Sequence, residues 1–309
     1  MIRLGVDLGG SKIEVIALGE DGGALLRERV ATPQGDYRAT VEAVADLVAA
    51  AKAKLCAGSL CVSGIPLRGK ATAVSIGIGI PGAESRVSGL IKNANSTCLI
   101  GQSLKTDLEA RLQCEVRIAN DANCFALSEA VDGAGKSASV VFGVILGTGV
   151  GGGIVVDGKL LSGANAIAGE WGHNPMPGEN SNEICYCGRH DCVELYLSGP
   201  GLSADHRRIA RAEFSPAQIV QGAAAGDAWC EATLHRYEVR LARALAQVIN
   251  ILDPDVIVLG GGLSNIDRLY EAVPHLWAAH VFSDSVATKL LKHRHGDSSG
   301  VRGAAWLWP

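Results

Sequence analysis

The chain has no basic excess, no apolar leader, no low-complexity stretch and no nucleotide-binding P-loop of the usual spelling, and each absence narrows what it can be. Lys and Arg number 28 against 32 Asp and Glu, a net charge of −4 over 309 residues. A nucleic-acid or anionic-membrane surface needs positive charge on at least one face, so small-molecule partners are expected, with neither nucleic acid nor membrane. The first residues, MIRLGVDLGG, offer one basic residue and then an acid, without a long apolar core or a small-residue cleavage site. No secretory signal is read there, and the cytoplasm is the default compartment. Nine cysteines, an odd number, fit reduced thiols better than a disulfide framework in such a chain.

One run lacks charge altogether. Residues 137–156 are about as long as a bilayer span, but Gly143, Gly147, Gly149, Gly151, Gly152 and Gly153 interrupt them. Each glycine costs a helix about 1 kcal/mol relative to alanine, so the run is read as two buried strands, SVVFGVIL and GGIVV, around a glycine turn. Gly147-Thr148-Gly149-Val150-Gly151-Gly152 formally spells G-x-G-x-x-G, yet a strand follows it where the dinucleotide fingerprint requires a helix. No G-x-x-x-x-G-K-[ST] occurs either.

What is present is a repeat. Aligning Leu8 with Leu146 superposes GVDLGGSKIEVIAL on GVILGTGVGGGIVV, so the chain reads as two related halves, each opening with strand, glycine turn, strand. After the first meander, Asp36 caps a helix with Val41, Val44, Leu47, Val48, Ala51 and Leu55 on one face. A strand at 73–80, a helix at 104–112, a strand at 115–119, a long helix at 231–252 and a strand at 255–259 follow. The class is α/β, with two lobes and a cleft expected between them. Residues 61–70 read as a surface-loop insertion.

Three groups of residues carry chemistry. The turns at Gly9-Gly10-Ser11-Lys12 and at Gly147-Thr148-Gly149 let backbone N–H groups approach an anion, with two hydroxyls and a lysine beside them. Either turn alone is equally well a tight hairpin; their duplication favours phosphate. Asp121, in the polar Asn120-Asp121-Ala122-Asn123 that follows a strand, is either a general base or the N-cap of the next helix. Residues 173–192, HNPMPGENSNEICYCGRHDC, gather two histidines and three cysteines in the spacing of a zinc site.

These motifs, with Gly169-Glu170-Trp171-Gly172-His173, Cys-x-Cys-x4-Cys and Gly260-Gly261-Gly262, together resemble the ROK family of repressors, open reading frames and sugar kinases, over essentially the whole chain. Within it the chain is most similar to bacterial fructokinases of the manno(fructo)kinase type, through Ile91-Lys92-Asn93-Ala94-Asn95-Ser96-Thr97, AGEWGHNP and HGDSSGVRGAAWLWP. Ser11 stands where the family usually has threonine, which keeps the hydroxyl.

The resemblance implies an actin-like ATPase fold, a duplicated ribonuclease H-like arrangement. Its smaller lobe would comprise residues 1–118 and about 295–309, and its larger lobe 119–294. It implies MgATP-dependent phosphorylation of a hexose at O6, D-fructose first, with Asp121 as base. ATP and Mg²⁺ would be served by Asp7, Gly9, Gly10, Ser11, Lys12, Gly147, Thr148, Gly149, Gly260, Gly261 and Gly262. Asn95, Asn120, Glu170, His173 and Glu194 would meet the sugar, with Gly82 a weaker candidate. His173, Cys185, Cys187 and Cys192 would hold a zinc; four protein ligands close the tetrahedron, so the metal would be structural. His190 is the alternative histidine. A homodimer is the family expectation. Glucokinases and N-acetylhexosamine kinases share every motif above, and a non-catalytic sugar-binding protein is the reading from another class. A sugar-responsive regulator would carry a DNA-binding domain ahead of the first turn, which here begins at residue 9.

Overall fold

A computed structural model describes residues 1–56 and 73–309; the insertion read at 61–70 lies outside the described residues. In chain order the first half contains β1 (Ile2–Leu8), β2 (Lys12–Leu18), β3 (Ala24–Ala31), α1 (Tyr37–Cys56), β4 (Val74–Ile80), β5 (Ala83–Glu84), β6 (Ile91–Lys92), α2 (Leu104–Leu112), β7 (Val116–Asn120) and α3 (Asp121–Val131). The second contains β8 (Val140–Leu146), β9 (Val150–Val156), β10 (Lys159–Leu160), α4 (Val193–Leu197), α5 (Gly199–Ala210), α6 (Pro216–Ala224), α7 (Ala228–Leu252), β11 (Val256–Gly260), α8 (Leu269–Trp277), β12 (Lys289–Lys292) and α9 (Ser299–Ala305).

The duplication is visible in the sheets. One is ordered β3-β2-β1-β4-β7 and the other β10-β9-β8-β11-β12. In each, the first three strands run antiparallel and the last two join in parallel. Leu8 and Leu146, the residues that align the repeat, each end the first strand of their sheet.

The chain divides into two compact units. The first is Met1–Asp132, Ser162–Ala168 and Asp297–Pro309; the second is Gly133–Leu161 and Gly169–Gly296. In the first, one sheet face is covered by α1 and α2, whose Val44, Val48, Ala51, Leu104 and Leu108 join Leu4, Val6, Ile76 and Ile78 in an aliphatic core. Asp36 begins α1 as read, its Oδ1 accepting from the Ala39 N–H at 3.0 Å. The other face receives α9 at backbone contact. A Cβ on Gly5 or Gly77 would collide with the main chain of α9, so glycine is what lets that helix sit directly on β1 and β4. Gly303 of α9 lies in turn against the Cys124 main chain of α3. That packing keeps α3 with the first unit, whereas the expected lobe boundary fell before it. A strand-to-helix junction offers the sequence no linker to mark it.

In the second unit α7 supplies Leu234, Tyr237, Leu241, Leu245 and Ile249 to a core shared with Phe142, Val144, Ile257 and Leu259. Asp227 caps it through the Trp229 and Cys230 N–H groups. The helix therefore starts one turn earlier than periodicity suggests. None of the helices among the described residues is long and apolar enough to cross a membrane.

Candidate functional site

In the first unit, the end of β1 carries Asp7 in register with Glu14 of β2 and Gly79 of β4. Glu14 is buried and ion-paired to Arg27 and Arg29 of β3. Its role was not legible, because a glutamate in a strand spelling KIEVIAL gives no sign of two arginines on a neighbouring strand. The Asp7 carboxyl is pushed up to about 6, first by burial and then by the Asp121 and Glu14 charges, with Lys12 and Arg29 opposing. An acid pair of this kind suits a hard divalent cation, whose charge would offset the repulsion. The turn after β1 is closed by the Gly9 N–H to the Lys12 carbonyl at 3.0 Å, and Thr32 Oγ1 donates to the Gly9 carbonyl at 2.7 Å. Ser11 and Lys12 are exposed. Gly10 and Asn95 line one cavity of about 330 Å³ with Thr32, Pro33 and Ser96.

The start of α3 separates two roles that the sequence left joined. Asn120, not Asp121, is the N-cap; its Oδ1 accepts from Ala122 N–H at 2.9 Å and Asn123 N–H at 3.4 Å. Its Nδ2 donates to the Gly82 carbonyl at 3.2 Å. Most of the Asn120 amide is thereby committed to holding the strand-to-helix corner, with one N–H left for a ligand. Asp121 is the first residue of α3 and exposed, with Oδ1 accepting from Ala122 N–H at 2.8 Å. Gly82, φ +98°, is packed by the Ala94 backbone.

In the second unit the segment 169–173 crosses β9 where Gly152 leaves room for Trp171, and Trp171 Nε1 donates to the Gly151 carbonyl at 3.0 Å. Buried Trp171 anchors a short 3-10 turn that carries exposed Glu170 at one end and His173 at the other. His173, Cys185, Cys187 and Cys192 come together, their ligand atoms all within 4.8 Å of one another. Cys187 Sγ to Cys192 Sγ is 3.6 Å and Cys185 Sγ to His173 Nδ1 is 3.8 Å. A tetrahedron with zinc–sulfur bonds of about 2.3 Å has edges of about 3.8 Å, so the four donors fit zinc. His190 bonds instead to the Asn182 carbonyl, at 3.2 Å. Burial and neighbouring thiols raise Cys185 and Cys192. For Cys187 the backbone N–H of Arg189 and the neighbouring thiols outweigh burial and lower it.

The loop is braced by Asp191, which accepts from Tyr196 and Ser181 hydroxyls, both at 2.7 Å, and is held down to about 2 chiefly by those two bonds. Tyr186, between two of the cysteines, was passed over in the sequence. Its hydroxyl lies 3.1 Å from His173 Nε2, and burial followed by the Glu194 charge pushes its phenol up to about 12.

Gly147, Thr148 and Gly262 line a cavity of about 840 Å³ with Pro200, Pro216, Val220, Gln221 and Asn265. Gly260 and Gly261 are not in its wall. Gly260 ends β11 and Gly261, φ +79°, turns the chain into the 3-10 segment after it. The α5 and α6 residues of this wall had no sequence signal, since a Ser-Pro pair reads only as a helix start.

A duplicated β-meander with helical crossovers, a glycine turn beside a nucleotide-sized cavity and an acid at a strand end are the marks of an actin-like ATPase-fold sugar kinase. The chain belongs to the ROK family, whose family model matches residues 3–309. It is similar to the N-acetyl-D-glucosamine kinase of Vibrio cholerae, 40% identical over 98% of each chain, and to that of Photobacterium profundum, 39% identical over 98% of each. Among solved structures it is similar to the ROK hexokinase of Thermus thermophilus (TM-score 0.82, 29% identity, 99% of this chain and 97% of that one). The ROK family glucokinase of Streptomyces griseus, solved with glucose and AMPPNP, gives a TM-score of 0.77 at 26% identity over 99% of both. The protein is an ATP-dependent sugar kinase. The fructokinase subtype finds no support here, because the curated relatives named above are N-acetyl-D-glucosamine kinases.

Proposed function

We propose that the protein transfers the γ-phosphoryl group of ATP to O6 of a hexose, with N-acetyl-D-glucosamine as the first candidate sugar. The observation that carries the sugar is the 40% identity, end to end, to a kinase named for N-acetyl-D-glucosamine. Asp121 is the proposed base. The Asn120 cap supports this reading, since the N-cap position that was the rival assignment for Asp121 is held by Asn120. Asp121 takes the O6 proton as the hydroxyl attacks, and the turn at 147–149 holds the nucleotide phosphates through backbone N–H groups. Mg²⁺, with Asp7 among the groups that would organise it, supplies charge neutralisation at the phosphates. Glu170, His173 and Glu194 are the proposed sugar contacts of the second unit. Zinc on His173 Nδ1 and the three thiolates would leave a proton on Nε2, so that this edge of the ring donates.

D-fructose is the second reading, favoured by one observation. The Tyr186 hydroxyl lies 3.1 Å from His173 Nε2 and so covers the edge of the imidazole that a sugar substituent would otherwise meet. A coupled ADP-release assay over N-acetylglucosamine, glucose, mannose and fructose decides between the two. The first reading requires the highest kcat/KM for N-acetylglucosamine; a fructose value more than about tenfold higher, a gap of about 1.4 kcal/mol, replaces it with the second. No turnover on any sugar removes both.

A further inference from the structure

Glu194 is engaged by the main chain of β9. Its Oε2 accepts from the Val150 N–H at 2.8 Å, and it lies so close to Gly149 that a Cβ there would stand 2.6 Å from the same oxygen. Val150 is the first residue of β9, paired with Leu146 across the turn Gly147-Thr148-Gly149. The other end of that turn is tied too, the Gly147 carbonyl accepting from the Gly199 N–H at 2.8 Å. Both ties come from one short stretch, Glu194 in α4 and Gly199 at the start of α5. Cys192, a member of the four-residue thiol and imidazole cluster, is the N-cap of α4. Gly172 lies against the carbonyl of the same Val150, so the residue next to His173 also rests on the turn.

We propose that Glu194 is the positioning residue of the 147–149 turn: through the Val150 N–H it sets where that turn's backbone donors stand. Nucleotide affinity then depends on a carboxylate that is absent from the wall of the 840 Å³ cavity. The inference rests on the reading that this turn and cavity take the nucleotide. Two features make the tie strong. The acceptor is an anion, and such a hydrogen bond is roughly twice as strong as a neutral one. The bond also falls where the chain is soft, since glycines at 147 and 149 leave the turn's backbone conformationally free between its bonds to Gly199 and Glu194. A carboxylate also has a second oxygen. Oε1 can meet a sugar hydroxyl while Oε2 stays on Val150, so that sugar and phosphate turn are joined through one side chain.

The test is the affinity of the zinc-loaded, sugar-free enzyme for a non-hydrolysable ATP analogue with Mg²⁺, measured calorimetrically for Glu194→Ala, Glu194→Asp and Glu194→Gln. Alanine removes the acceptor and aspartate withdraws it by one methylene; both are expected to weaken the analogue about tenfold, the range for a lost hydrogen bond to a charged group. Glutamine keeps an amide oxygen in reach of Val150 and is expected to stay within about threefold of wild type. The sugar KM is expected to rise in all three, whereas only the positioning role makes the sugar-free analogue affinity fall for alanine and aspartate and hold for glutamine. Gly262→Val, which fills the cavity directly, tests the underlying reading. If it weakens the analogue while the alanine and aspartate variants bind normally, the positioning role is overturned and the cavity stands. If Gly262→Val has no effect either, the cavity reading falls and takes the inference with it. Should the alanine variant lose its zinc, the aspartate and glutamine pair alone decides: equal affinities refute the proposal.

Discussion

Replacing Asp7 with asparagine is expected to stabilise the unliganded protein and cripple the enzyme at once. The folded-state pKa of Asp7 is about 6 against an ordinary 3.8, chiefly from burial, then from Asp121 and Glu14. The native protein thus binds a proton that the unfolded chain has already released between about pH 4 and 6. Stability therefore falls as pH rises through that window, and the loss persists above it. A shift of about 2 units corresponds to about 3 kcal/mol, an upper bound because the unfolded chain retains some charge interactions of its own. The asparagine keeps the shape and has no charge to desolvate. Urea or thermal unfolding of both proteins, without sugar, nucleotide or Mg²⁺, should show the variant more stable by about 1–3 kcal/mol at pH 7.5, with the gap narrowing below about pH 6 and closing only below the ordinary value of 3.8. The difference between the two curves isolates Asp7 from the other acids that titrate in the same range. With Mg²⁺ and ATP present, kcat should fall and the Mg²⁺ requirement rise. A variant that is less stable at pH 7.5, or a gap that does not change with pH, refutes the reasoning.

Asp121→Asn is expected to lower kcat by roughly 10²-fold to 10⁴-fold with sugar and ATP affinity retained, read from steady-state kinetics and binding titrations; near-normal kcat would remove it as the base. Cys187→Ser should lower the zinc content below the one ion per chain expected of wild type by elemental analysis, and raise the sugar KM. Full zinc with unchanged KM would detach the cluster from the site. Gly77→Ala should destabilise the first unit by several kcal/mol in denaturant titrations, because its Cβ would meet the Ala304 carbonyl. An effect under about 1 kcal/mol would mean that α9 can lift from the sheet at little cost. Tyr186→Ala should raise kcat/KM for N-acetylglucosamine relative to fructose if the phenol limits the site; an unchanged ratio in the sugar panel makes the tyrosine irrelevant to choice of sugar.

Short-range pattern carried much of the fold. The α2 bounds read from sequence are those observed, and α1 buries the six residues placed on its inner face. The repeat anchored at Leu8 and Leu146 matches the two sheets strand for strand. These succeed because side-chain direction alternates along a strand and recurs every 3.6 residues along a helix, both set by the local backbone. Boundaries at capped ends were less secure. Asn120 and Asp121 are both good caps by composition and both accept from the Ala122 N–H; Asn120, which holds the cap position, also donates to the Gly82 carbonyl, 38 residues away.

By itself, then, the sequence determined the class, the duplication and the two glycine turns, and it marked the three cysteines with His173 or His190 as a candidate cluster, since each rests on residue type and spacing along the chain. Tertiary structure alone decided that the cap position of α3 falls to Asn120, and that burial and the Asp121 charge push the Asp7 carboxyl up. It decided that Glu14 is spent on two arginines, and that Glu194 reaches a backbone N–H 44 residues before it. The physical reason is one of range. Propensity and periodicity act over a few residues, whereas burial and hydrogen-bond partnership depend on which distant segments the core brings within about 3 Å.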